Sequence, residues 1–437
     1  MASLPDTVPS KIGAKSPYLH VSDGLVRDWY FPILLFLAPI QSILLLPVQG
    51  TTPAFMLVLA APLLLLGNDR RYFKLLGFLF LFISLYVVYM AVSLSGYLID
   101  TPDLSNLTVI REIYVYGLLR QSHVTQGIYL MAALMFFFIM TQYYQESFIK
   151  WAFFGIFFLV AYGFYEFIFY AIFHENVDFL SNRNFGDLNS VAEGRGQGDY
   201  ATGSAIQPSN LFGAGFMRLK SLVGEPSMYA LTVTPFAVYA YGRKWWLIFF
   251  ILFLSLFLST STTAVIGLLF GIAFIEISQR KEFVLYIGAF IFVSSLLYAT
   301  FDPIQNALNT LLFEKMETVS GNERLTSFVD HSSVIIGSNI VRFAFGLGFG
   351  TVRSLDMMSN LLANIGVVGF LGFSAIVLYP SFRLKHQGDT VAIIAAVISI
   401  YLMQITTVPE YAYLPPWFIV ALSYVRLRQQ RLGQVAY

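Results

Sequence analysis

Leu75 to Leu94 reads LLGFLFLFISLYVVYMAVSL. These twenty residues include no charge, and the apolar side chains run on without the alternation of a half-buried strand. Wound as a helix, they rise about 30 Å, the thickness of a bilayer's hydrocarbon core. A transmembrane β-barrel needs short alternating strands instead. Apolar runs of this length recur along the chain. Across 437 residues, 57% are hydrophobic and 12% charged, and mean hydropathy is +0.69. A soluble domain carries about twice that charged fraction. The sequence therefore predicts an all-α, polytopic membrane protein.

Twelve spans are expected, over 29–48, 54–67, 75–98, 124–142, 151–173, 226–242, 244–258, 261–277, 283–301, 358–380, 390–406 and 412–426. The second is short and contains Pro62, which suits a re-entrant or tilted segment. The stretch 244–277 is either one bent unit or two spans divided by the polar turn Ser259–Thr263.

Basic residues test this count. Lys11, Lys15 and Arg27 precede the first span; Arg70, Arg71 and Lys74 follow the second; Lys150 precedes the fifth. Arg243 and Lys244, Arg280 and Lys281, Arg383 and Lys385, and Arg426, Arg428 and Arg431 follow later spans. With twelve spans and both termini cytoplasmic, all of them fall on one side. Residues 1–28 and 427–437 then read as cytoplasmic tails flanking one transmembrane domain, 29–426. The first 28 residues are polar and lack an apolar core segment, so no cleavable signal peptide is expected.

Several chemistries are excluded or disfavoured. There is no Cys, hence no disulfide or thiol chemistry. The histidines, His20, His123, His174, His331 and His386, show no metal-ligand spacing. No P-loop or dinucleotide fingerprint is present. No metal, cofactor or nucleic-acid partner is expected.

The long connections, about 99–123, 174–225 and 302–357, all lie on the outward side, so function is expected there. Residues 186–205 (GDLNSVAEGRGQGDYATGSA) read as flexible. Arg218 to Leu231 (RLKSLVGEPSMYAL) then brings an Arg, a Lys and a Glu-Pro to the edge of an apolar segment. Glu225 before Pro226 also fits a plain helix start, an acid at the positive end of the dipole. Further on, Ile304, Leu308, Leu311 and Leu312 share one face, as in an interfacial amphipathic helix.

Between Arg324 and Phe343, helical spacing puts Leu325, Val329, Ile336, Ile340 and Phe343 on one stripe. It puts Arg324, His331, Ser338 and Arg342 on another. That polar stripe is either a solvated face or a row of ligands. Gly346-Leu347-Gly348-Phe349-Gly350 and Arg353 follow; a glycine cluster alone is a weak sign of phosphate binding. Arginine binds phosphate oxygens bidentately. A departing diphosphate needs its developing charge stabilised, and a carboxylate or His takes a proton from an attacking hydroxyl.

Four segments carry a resemblance. They are Arg218 with GEPSMYAL from Gly224, LSTSTTAVIGL at 258–268, SGNERLTSF at 320–328, and GLGFGTVRS at 346–354 running into SNLLANIGVVGF at 359–370. In these the chain resembles the Wzy-type O-antigen and exopolysaccharide polymerases, within the superfamily that includes the O-antigen ligases. The resemblance covers about 218–370; outside it the likeness is one of topology.

It implies a helical fold related to the C-type membrane glycosyltransferases, in a bacterial inner membrane, with the active site facing the periplasm. It also implies metal-independent polymerisation of undecaprenyl-diphosphate-linked oligosaccharide repeat units, releasing undecaprenyl diphosphate. A polysaccharide co-polymerase is a further partner that the family leaves room for. Carried over by position, Arg218 and Arg324 contact diphosphate, with Arg342 and Arg353 as secondary candidates. Glu225 is the acid/base or positioning group, with His331 as rival. Glu166, late in the fifth span, is a candidate because an intramembrane carboxylate is by default functional. Glu410, in VPEYAYLPP, is another carboxylate on the outward side. Ligases carry a His-Asn pair where Ser359-Asn360 stands here, which favours the polymerase. The alternatives are a ligase of the same superfamily and a flippase or transporter of lipid-linked saccharide.

Overall fold

The computed structural model describes residues 25–46, 50–66, 70–110, 119–183, 208–211, 214–280, 282–300 and 319–433. At 25–27, 208–211, 214–216, 319–324 and parts of 283–300 it describes the backbone alone. The expected flexible stretch 186–205, the amphipathic stripe at 304–312 and most of the N-terminal tail lie outside the described residues.

The chain is helical, and the helices follow the apolar runs. They are α1 (Leu25–Leu37), α2 (Pro53–Leu59), α3 (Ala61–Leu64), α4 (Arg70–Ser95), α5 (Gln121–Tyr143), α6 (Ser147–Phe173), α7 (Pro226–Gly242), α8 (Trp246–Leu258), α9 (Thr262–Gln279), α10 (Phe283–Thr300), α11 (Val319–Ser333), α12 (Ile340–Phe345), α13 (Met357–Arg383), α14 (Asp389–Thr407) and α15 (Leu414–Arg431). Six helices among the described residues are long and apolar enough to cross a membrane: α4 with the short turn after it, α5, α6, α9, α13 and α14. Of the other expected spans, 283–301 falls on α10, which is as long as α9 and carries no charge, and the rest fall on helices that are shorter or more polar.

Proline sets several boundaries. The first expected span stops at Leu37, because Ala38 precedes Pro39 and is biased away from helix. The second is two short helices that meet at Ala60, just before Pro62. Pro226 opens α7 at its first turn, where its missing N–H is no loss, and Glu225 is the residue before it, in extended conformation.

The centre is formed by α7, α9 and α14, which pack closely on one another. Small residues allow this. A Cβ at Gly271 would collide with Ser399 Oγ and lie 2.7 Å from Val238. Ser399 instead donates to the Gly267 carbonyl at 2.7 Å, tying α14 to α9.

The two ends of the bundle differ. At one end Arg426 clamps Glu146 with two nitrogens, at 2.6 and 3.0 Å. It also reaches Asp389 at 3.2 Å, and Asp389 pairs with Arg243 at 3.0 Å. This network joins the ends of α5, α7 and α15 to the starts of α6 and α14. The basic connections at 243–244, 383–385 and 426–431 therefore gather at one end.

The other end holds irregular backbone, closed by pairing rather than left open. Gln41 and Ser42 N–H both donate to the Leu222 carbonyl at 2.9 Å. Asn182 and Arg183 N–H both donate to the Ser42 carbonyl at 3.0 Å. A two-stranded hairpin, β1 (Pro208–Leu211) and β2 (Ala214–Met217), sits in the 174–225 connection, where the sequence pattern predicts no strand.

Two expectations are corrected. The continuous helix read from Arg324 to Phe343 is instead α11 and α12, parted by a turn with Gly337 at φ 88° and restarted by Asn339, whose side chain accepts from Arg342 N–H. Ser338 lies in that turn, so the polar stripe is not one helical face. The apolar stripe Leu325, Val329, Ile336, Ile340 and Phe343 faces outward, while His331 and Arg342 are buried. Secondly, α13 is broken at Gly366 (φ 60°, ψ −170°). A Cβ at Gly366 would lie 2.5 Å from the Ala344 carbonyl carbon, and one at Gly346 2.5 Å from Ile365 N. The two chains cross in contact there, which only glycine permits.

Candidate functional site

The 218–225 segment is anchored first. Leu219 N–H donates to the Leu258 carbonyl at 3.1 Å. Arg218 Nε donates to Ser259 O at 3.2 Å and Thr260 Oγ1 at 3.1 Å. The segment that carries Arg218 and the polar STSTT turn are therefore one unit in space.

Lys220 turns inward. Its side chain is 0% exposed, with Nζ 3.9 Å from Glu166 Oε1 and 3.8 Å from Asp178 Oδ2. Asp178 also accepts from Tyr162 Oη at 2.9 Å and Ser181 N at 3.1 Å. The charge partner of Glu166 is Lys220, and both Glu166 carboxylate oxygens are buried. A buried acid facing a buried amine is the arrangement an apolar interior requires of charge.

A second cluster gathers at the mouth of the irregular end. Tyr413, immediately before α15, lies within electrostatic reach of Arg183, Glu410, Glu225 and Arg353. These groups come from four distant segments: the chain after α6, the start of α7, the chain before α13, and the α14–α15 connection. Glu225 and Glu410 are half-buried, and Arg353 is exposed. Glu410 is held by its own connection, with Gln404 Nε2 donating to its carbonyl at 2.9 Å and Ala412 N to its carboxylate at 3.1 Å. Burial pushes the Glu410 carboxyl above the usual carboxylate range; the Ala412 N–H, Arg183 and Arg353 oppose that rise. Two arginines and two carboxylates within electrostatic reach of one tyrosine suit an anionic ligand beside a proton acceptor.

A third feature adjoins the second. His331 Nδ1 donates to the Ser327 carbonyl at 2.6 Å. Ser327 Oγ lies 3.2 Å from Ser354 Oγ, which lies 2.5 Å from Ser359 Oγ. Ser359 Oγ donates to Asp356 Oδ2 at 2.5 Å. Asp356 is also the N-cap of α13, accepting from Ser359 N–H at 2.8 Å. A hydrogen-bonded chain thus runs from His331 to Asp356, passing next to Arg353. His331 Nε2 is buried with no hydrogen-bond partner among the described residues.

The remaining candidates separate. Arg342 ion-pairs with Asp100, donates to the Asp100 carbonyl at 2.8 Å and sits over the Tyr97 ring. It fastens α12 to the end of α4 and stands apart from the Arg183–Arg353 mouth. Arg324 lies in α11, and its side chain is outside the described residues. Most donors of the glycine turn are occupied. Leu347 N–H bonds the Ala363 carbonyl at 2.8 Å and Gly348 N–H the Asn364 carbonyl at 3.0 Å. Thr351 and Val352 N–H bond Asn364 Oδ1 at 2.9 and 3.0 Å. Gly346, Gly348 and Gly350 all have positive φ. The turn caps the break in α13 rather than presenting a phosphate cradle.

Arg183, Tyr413 and Asp356 are absent from the candidates that the sequence suggests. Arg183 sits in a long connection with no local motif, and only the tertiary pairing of 182–183 with Ser42 brings it to the mouth. Asp356 carries the one available signal, an acid three residues before Ser359 at a helix start.

No protein-family model matches the chain, and no curated protein shows significant similarity to it. Among the described residues, no three His, Asp or Glu side chains converge as metal ligands.

Proposed function

We propose that the protein is a metal-independent membrane glycosyltransferase that polymerises undecaprenyl-diphosphate-linked oligosaccharide repeat units on the periplasmic face of a bacterial inner membrane. Twelve spans with both termini cytoplasmic belong to this reading. One observation carries it most: Arg183, Arg353, Glu225 and Glu410 all lie within electrostatic reach of Tyr413, at the end opposite the basic connections.

In this reading the arginines hold the diphosphate of the donor, with Arg218 and Arg324 as further cations. The acceptor hydroxyl attacks the donor's anomeric carbon, and the bond from that carbon to the diphosphate oxygen breaks. Undecaprenyl diphosphate leaves with the charge that the arginines stabilise. The hydroxyl proton passes to a carboxylate, Glu225 or Glu410, or to His331 Nε2.

The test is reconstitution with lipid-linked repeat units, without nucleotide and with EDTA present. A ladder of lengthening glycans is expected. Transfer to a lipid A core acceptor alone would mean a ligase. The break in α13 is similar to the discontinuous helices of transporters. If saccharide crosses the membrane and no glycosidic bond forms, the protein is a flippase and this reading fails.

A further inference from the structure

A cavity of about 440 Å³ lies at the basic end, away from the mouth described above. Ile149, Lys150 and Phe153 of α6 line one side, and Trp245 to Ile248, at the start of α8, line the other. The floor is built, since Trp245 packs edge-on against Phe153 at 5.6 Å and against Tyr239 at 5.8 Å. The rim is open to the outside of the bundle, with Trp246 47% and Leu247 75% exposed. The lining is apolar except for Lys150.

Charge around the rim is unbalanced. Of the acids around it, Glu146 is neutralised by Arg426 and Asp389 by Arg426 and Arg243, while Glu276 accepts from Tyr241 Oη at 2.6 Å, behind the Trp246 ring. Among the described residues no acid pairs with Lys150 or Lys244. Lys244 also carries an independent signal. It sits at φ 58°, the left-handed position after a helix that glycine fills without strain. A side chain there crowds its own backbone. The chain tolerates that strain and keeps a cation one residue before the cavity. Tryptophan pairs with lysine where a molecule's apolar and polar parts meet the membrane interface.

We propose that this cavity binds one anionic membrane phospholipid, its acyl chain against Phe153 and Trp246 and its phosphate between Lys150 and Lys244. The apolar lining excludes a free inorganic anion, and the two unneutralised lysines select against a zwitterionic headgroup. A cation near an anionic surface favours binding by about fivefold.

The experiment uses the full chain in nanodiscs, with Trp29, Trp151 and Trp417 replaced by Phe so that Trp245 and Trp246 report. Brominated phosphatidylglycerol is titrated against brominated phosphatidylcholine, and fluorescence quenching is read. Half-maximal quenching is expected at a fraction of the anionic lipid lower by about fivefold or more. Lys150→Gln with Lys244→Gly should bring the ratio close to one. Lys244→Gly relieves strain, so folding is retained, and circular dichroism checks it. Equal quenching by both lipids in the lysine-bearing protein overturns the proposal. So does an anionic preference that survives both substitutions.

Discussion

Arg353 and Glu410 carry the most direct chemical prediction, because the charge of one lowers the proton affinity of the other. Burial raises the Glu410 carboxyl, and Arg353 is among the groups that pull it back. Arg353→Gln removes a lowering influence, so the proton is held to higher pH. If Glu410 is the base, the acid limb of the pH–rate profile moves to higher pH in this variant. An unmoved limb would assign the base elsewhere. Lys220 supports a prediction of the opposite kind. Lys220→Met leaves Glu166 and Asp178 buried without their cation, a change that costs about 3–5 kcal/mol. It should appear as a loss of thermal stability in detergent. Glu166→Gln, by contrast, should leave turnover per folded molecule within about threefold. Loss of turnover in a protein of unchanged stability would make Glu166 a reacting group.

At the scale of elements, the break in α13 and the glycine turn that fills it act as one device. Gly366→Ala places a Cβ 2.5 Å from the Ala344 carbonyl carbon at a positive φ. Steric overlap and strain together should cost several kcal/mol. Size-exclusion profiles should show loss of the monodisperse species. The polar chain from His331 to Asp356 predicts coupling between α11 and α13. Ser354→Ala removes its middle link, so turnover in Ser354→Ala and in His331→Gln should be non-additive in a double-mutant cycle. Full additivity would make the chain a packing feature only.

These elements also show what is and is not legible in the sequence. Apolar runs and prolines locate most helices, because lipid leaves the backbone few options. The faces of α11 and α12 are legible as two stripes, but Gly337 and Asn339 end the helix between them, and periodicity alone does not see that. The pairings of Glu166 and Arg342 escape a linear reading because their partners, Lys220 and Asp100, are distant in sequence. Arg183 escapes it for the same reason.

The whole molecule presents two chemically different ends, and the account depends on which faces the periplasm. The chain has no cysteine, so single substitutions report cleanly. Asp103→Cys should be labelled by an impermeant maleimide from the periplasm, and Lys385→Cys only after the inner membrane is opened. Labelling in the reverse order would place the mouth in the cytoplasm and remove the proposed substrate. The central claim is that the mouth holds the diphosphate whose departure drives chain growth. Its most direct test compares glycan ladders from proteoliposomes of the unsubstituted protein with those of Arg183→Ala and Arg353→Ala, at equal amounts of folded protein. Removing a charge-assisted contact to a leaving diphosphate should lower the rate of chain growth about 10²-fold in each. A normal ladder from either variant would contradict the account.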